Sequence, residues 1–242
     1  SDEYAERLAL EVERRVSEAD IGEVRNAARV LPLMWAAGEG ADPIALLSQD
    51  LGAGTIVTGI VHRQGDSLDV QAYCTDAVTG ESLGHLEPVH SAVGEKDALI
   101  TEIGDRVAGL LALRLDPENP FQSFSQPPLN PEAYAEYRRG VELSANREDW
   151  SQAADHFLRA WALDSTYLDA GFIALVYLDM VSQLYGSSDI GGADRGSERD
   201  SVLAVLEGSV DRMTPIQRRG FQSYLSPDLE ASLRRARLEA RE

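Results

Sequence analysis

Residues 1–115 predict an α/β fold, a two- or three-layer sandwich around a small mixed sheet, and residues 131–242 predict an all-α helical repeat domain. Three observations carry this. Apolar residues alternate with polar ones between positions 67 and 74, which is the period of a strand with one buried face. A proline-rich stretch, DPENPFQSFSQPPLNP (116–131), follows, and its residues 116–130 read as a linker. Beyond it the pattern changes to helical spacing throughout, punctuated by capping residues before proline.

The elements can be justified in order. In DEYAERLALEVERRVSEAD, Tyr4, Leu8, Val12 and Val16 recur every four residues and form one helical stripe. IGEVRNAARVLPLMWAAG is less regular and suggests a short strand from Ile21 to Ala28, then a turn region. Asp42-Pro43 opens a helix, with Asp at the N-cap and Pro at the first helical position; Gly52 and Gly54 end it. TIVTGIVHRQ is rich in β-branched residues and reads as a buried strand. Gly65-Asp66 turns it into SLDVQAYC, where Leu68, Val70, Ala72 and Cys74 share a face. Thr79-Gly80 turns again into ESLGHLEPVH, a third, weaker strand that Pro88 makes an edge or ends. Leu99, Ile103, Val107, Leu110 and Leu111 then mark a long helix.

In the second half, Asn130-Pro131, Thr214-Pro215 (with Gln217 completing a capping box) and Ser226-Pro227 each open a helix. Residues 186–200, GSSDIGGADRGSERD, read as a loop or frayed segment.

Charge and composition exclude several functions. With 22 Lys+Arg against 41 Asp+Glu, the net charge of −19 repels phosphate backbones, so nucleic acid is not an expected partner. A single cysteine rules out an internal disulfide and multi-cysteine metal motifs. No run of 18 or more apolar residues occurs, so no membrane insertion is expected. The first residues already read as a helix, which suggests that the chain begins inside a longer protein.

Cys74 is the residue most easily mistaken for a nucleophile. Its place beside Leu68 and Val70 argues for core packing. His62 comes near Asp69 across the hairpin, but no nucleophile completes the pair. His85 and His90, five apart on the expected edge strand, point to opposite faces if that strand is regular. Trp150 and Trp161 suit helix packing. No phosphate-binding loop, zinc-protease motif, nucleophile elbow or dinucleotide fingerprint is present. No catalytic, cofactor or metal residue is therefore assigned, and the chain is expected not to be an enzyme.

Two resemblances sharpen this. From Tyr134 to Asp164 the helical pair places Gly140 at a small position of the first helix, and Ala153, Phe157 and Ala160 at small, aromatic and small positions of the second. ALDSTYLDA follows as an inter-repeat turn, with Ser165 in place of the usual proline. This pattern resembles tetratricopeptide repeats. One repeat is clear; a degraded second starts at Tyr167 and a third follows Thr214.

The first half, through Gly59, Gly65-Asp66, Asp76-Ala77 and Thr79-Gly80, resembles the TolB amino-terminal-like domain of bacterial multi-domain signalling proteins. Asn-Pro-Glu-Ala-Tyr at 130–134 then leads into the repeats, as it does in that family. Two departures stand out: the aromatic after the Thr-Gly turn is absent, and so is the family's first strand, expected before residue 1 or supplied by other residues. The resemblance implies a non-catalytic sensor or scaffold segment of a bacterial signalling or envelope protein, extracytoplasmic (periplasmic) in a membrane-anchored parent. It implies a protein or peptide partner on the helical half; self-association stays open. The alternative is a small-ligand-binding domain in the α/β half.

Overall fold

The structure, a computed structural model, describes residues 2–25, 30, 32–33, 42–116, 127–185 and 195–226. The chain divides into two compact units, Ser1–Gln122 with Pro127–Tyr134, and Ser123–Gln126 with Ala135–Glu242.

The first unit combines helices with an antiparallel sheet. Helix α1 spans Asp2–Glu18 and α2 spans Pro43–Leu51. Asp42 caps α2 by accepting from the backbone N–H of Ile44, and Gly52 closes it in the left-handed region (φ 60°), where a side chain would be strained. Strands β1 (Thr55–Gln64) and β2 (Ser67–Asp76) form a hairpin in unbroken register from Thr55↔Asp76 to Gln64↔Ser67. Strands β3 (Ser82–His85) and β4 (Val89–Ala92) both pair with the other edge of β2. Helix α3 spans Lys96–Arg114.

The larger described core of this unit lies between the sheet and helices α1 and α3. Leu68, Val70, Ala72 and Cys74 of β2 project onto Leu99, Ile103, Val107 and Leu110 of α3 and onto Leu8 and Val16 of α1. The four alternating residues of β2 all face the helices because a strand turns every second side chain to the same side. Helices α1 and α3 meet at Gly104, where an added Cβ would lie 2.9 Å from Glu11 Cγ. Ion pairs Arg7–Asp97 (2.7 Å) and Arg15–Asp105 (3.0 Å) flank the crossing. On the opposite face, α2 covers only one end of the sheet: Leu47 packs with Ile56 and Ala77. The result is two full layers with a partial third.

The sheet departs from the expected mixed sheet, because every described pairing is antiparallel. Ile21–Arg25, expected to begin a short strand, lie in no strand; residues 26–28 of that expectation lie outside the described residues. Ile21 and Val24 are apolar because they pack against the core, without a ladder partner.

The stretch read as a linker is packed at both described ends, while its residues 117–126 lie outside the description. Buried Asp116 accepts a hydrogen bond from Tyr134 Oη at 2.6 Å. Pro128 is fully buried, and a Cβ on Gly109 would lie 2.3 Å from its carbonyl oxygen.

The second unit is helical: α4 (Pro131–Ser144), which begins in the first unit, then α5 (Trp150–Leu163), α6 (Leu168–Tyr185), α7 (Arg195–Glu207) and α8 (Pro215–Tyr224). Residues 195–200, expected in a loop, form the start of α7; residues 186–194 are outside the description. Glycine and serine early in that segment masked a polar first turn, which Arg195 anchors by pairing with Asp155 (2.6 Å) and Glu198 (3.1 Å). Thr214 and Gln217 form the capping box that opens α8. The cap expected at Ser226-Pro227 reaches beyond the described residues.

Candidate functional site

The helical unit is assembled by glycines that let aromatic rings lie against helix backbones. Phe157, 1% exposed, rests on Gly140: a Cβ there would stand 2.6 Å from its Cε1. Ala153 and Ala160, one turn either side of Phe157, are fully buried. The ring also meets Tyr137 of α4 (5.5 Å between centroids) and Tyr177 of α6 (5.3 Å). A second such contact was not singled out in the sequence. Trp161 of α5 lies on Gly171 of α6, where a Cβ would be 2.7 Å from Cε3. Gly171, at helical spacing within an apolar run, was the available signal. Trp150 meets Tyr177 edge-on and donates from Nε1 to the Ser144 carbonyl at 3.0 Å.

Contacts join alternate helices as well as consecutive ones. Tyr137 of α4 packs on Tyr167 at the entrance to α6 (5.3 Å). Phe172 of α6 packs on Phe221 and Tyr224 of α8. Asp179 of α6 accepts from Arg199 of α7 (2.6 Å) and from the Tyr224 hydroxyl of α8. Burial, then the hydrogen bond to Asp179, raises the Tyr224 pKa and keeps it the donor. In the turn before α6, buried Asp164 ties the chain back on itself. Its carboxylate accepts from the Thr166 backbone N–H (2.9 Å) and hydroxyl (2.6 Å).

Glu136 on α4 gathers three side chains: Arg139 (2.7 Å), His156 (2.8 Å) and Arg159 (2.9 Å). Burial alone would raise its pKa; the hydrogen bonds from Arg159 and His156 outweigh that and hold the carboxyl below its usual value. The apolar side chains this unit leaves exposed include Val141 on α4, Val205 on α7 and Ile216 on α8.

In the first unit, the polar residues of the hairpins serve the turns. Gly65 has φ 63°, which the tight turn requires, and the Asp66 carbonyl accepts from Val93 N–H at 2.8 Å. Asp76 Oδ1 accepts from the N–H groups of Val78 and Thr79, both at 2.8 Å, and Gly80 adopts φ 73°. The two backbone hydrogen bonds, Thr79 first, hold the Asp76 carboxyl below its usual range.

Histidines gather on the sheet face turned away from α1 and α3. His62 stands opposite Asp69 in the hairpin register, but it is His90 on β4 that bonds the Asp69 carboxylate, through Nδ1. His85 and His90 share this face, against the expectation of opposite faces. His85 pairs with Tyr73 and His90 with Asp69, four residues apart on β2. The break over Leu86–Pro88 inserts one extra residue and restores the phase. The two histidines remain about 13 Å apart along the strand direction, so they do not meet. Among the described residues, no three His, Cys, Asp or Glu side chains are placed to hold a metal ion.

A groove of about 630 Å³ runs along α3, lined by Asp97, Thr101, Glu102, Asp105 and Arg106 with Leu129 and Asn130. Each of its carboxylates is met by an arginine: Asp97 by Arg7, Glu102 by Arg106 (2.6 Å) and Asp105 by Arg15. No described helix is long and apolar enough to cross a membrane. No protein-family model, curated protein or solved structure matches the chain.

Proposed function

We propose that the chain is a non-catalytic sensor or scaffold segment of a larger bacterial signalling or envelope protein, lying outside the cytoplasm and binding a protein partner through its helical unit. One observation carries this reading. The first helices of successive pairs, α4, α6 and α8, touch through Tyr137–Tyr167 and Phe172–Phe221, while Gly140–Phe157 and Gly171–Trp161 lock the second helix between them. Contacts to the next helix and the next but one are what a tetratricopeptide-like array makes, and such arrays present a continuous surface to peptides and proteins. Exposed Val141 and Ile216 lie on α4 and α8, first helices of this array.

The whole chain, immobilised and exposed to extract of its own cells, should retain a specific protein. Val141→Glu with Ile216→Glu should lower that retention at least tenfold while leaving the melting curve unchanged. Retention that survives these changes and disappears with Tyr73→Ala and His90→Ala would transfer the binding surface to the sheet.

A further inference from the structure

We propose that strand β1 pairs with β1 of a second copy of this chain, giving an antiparallel, two-fold symmetric dimer centred on Gly59. This goes beyond partner binding by the helices and uses the other unit.

The two edges of the sheet are built differently. The β3/β4 edge consists of two four-residue strands with a register shift opposite Cys74/Thr75 and a break at Pro88. Short strands, bulges and proline are the devices that protect an edge from pairing with another chain. Strand β1 has none of them. It runs for ten residues in unbroken register and, among the described residues, pairs with β2 alone. Its second row of backbone N–H and C=O groups faces away from β2. Its only charged side chain is Arg63, near one end, in a chain with 41 acidic residues.

The core-facing valines of this edge are incompletely covered. The core residues of β2 are buried, whereas Val57 and Val61 of β1 are only partly so, as is Leu83 of β3 on the other edge. An added strand with apolar residues at alternate positions would complete this layer.

The sequence of β1 is complementary to itself. A two-fold axis perpendicular to the sheet keeps each face on its own side. Facing residues must then both lie on the core face or both on the outer face. Centring on Gly59 sets Val57 opposite Val61 of the second copy on the core face, and Thr58 opposite Ile60 on the outer face. Thr55 then meets Arg63. Centring on Ile60 instead would set Val57 against Arg63. Gly59 sits where the ladder is tight, since a Cβ there would be 3.1 Å from the Gln71 carbonyl oxygen. Two copies each carrying −19 repel, and a strip free of acidic residues is where they can approach without like charges directly opposite.

Sedimentation over a concentration series should show a monomer–dimer equilibrium that tightens as salt is raised and screens the repulsion. Hydrogen exchange at alternate amides of residues 55–64 should slow as concentration increases. Thr58 and Ile60 are both exposed, so substitutions there leave the monomer folded. Thr58→Lys with Ile60→Lys places like charges across the axis and should weaken the dimer at least tenfold. Thr58→Lys with Ile60→Glu places opposite charges there and should restore it. A chain that stays monomeric at all concentrations, or β1 amides already protected at high dilution, would overturn the proposal. A dimer equally indifferent to both pairs of substitutions would place the interface elsewhere and do the same.

Discussion

Cys74 shows how position governs chemistry at the scale of one residue. It faces the core between Val57 of β1 and Gly84 of β3 and has no exposed surface. Burial pushes its thiol from an ordinary 9.0 up to about 12, so the reactive thiolate is absent at neutral pH. A raised folded-state pKa means that the folded chain holds the proton longer than the unfolded one. The associated stability is present below about pH 9 and is lost as pH rises towards 12. Cys74→Ala should cost about 1 kcal/mol at pH 7, as expected for removal of one buried atom. It should also flatten the alkaline decline: denaturant midpoints at pH 7 and 10.5 should fall further in the natural chain than in the variant. Equal declines, or rapid labelling of the native thiol by a bulky maleimide, would show that the side chain is not enclosed.

At the scale of elements, the helical unit depends on two glycines that face aromatic rings. Phe157→Ala should cost about 3–5 kcal/mol, because the ring fills the space between α4, α5 and α6. Gly171 gives a sharper test through its sign. Alanine in a solvent-facing helix position gains up to about 1 kcal/mol over glycine. Here the new methyl would stand 2.7 Å from Trp161, so Gly171→Ala should instead destabilise by about 1–3 kcal/mol. Gly140→Leu should act likewise through Phe157. Chemical denaturation measures all three, and a stabilised Gly171→Ala would mean that the two helices do not approach this closely.

At the scale of the whole molecule, each of the two compact units has a core of its own. Calorimetry should resolve two transitions, and Phe157→Ala should lower one while leaving the other in place. A single transition that shifts as a whole would mean that the units unfold together. The net charge of −19 acts on both. Raising ionic strength from 0.01 to 0.15 M shortens the screening length from about 30 to about 8 Å, which relieves self-repulsion.

Local order was legible in the sequence. Alternation in SLDVQAYC gave the inward face of β2, Gly65-Asp66 its turn, and the Thr214–Gln217 box the start of α8, because each depends on residues within a few positions. The spacing of Ala153, Phe157 and Ala160 put them on one side of a helix for the same reason. Pairing across the sheet could not be read this way. One extra residue over Leu86–Pro88 moved His90 to the face of His85 and gave it, rather than His62, the carboxylate of Asp69. Trp161 found Gly171, and Ile21 and Val24 found the core without entering the sheet, through contacts that periodicity does not encode. A side chain's periodic neighbours follow from backbone geometry alone; its distant partners depend on how whole elements pack, and that was decided only in the tertiary structure.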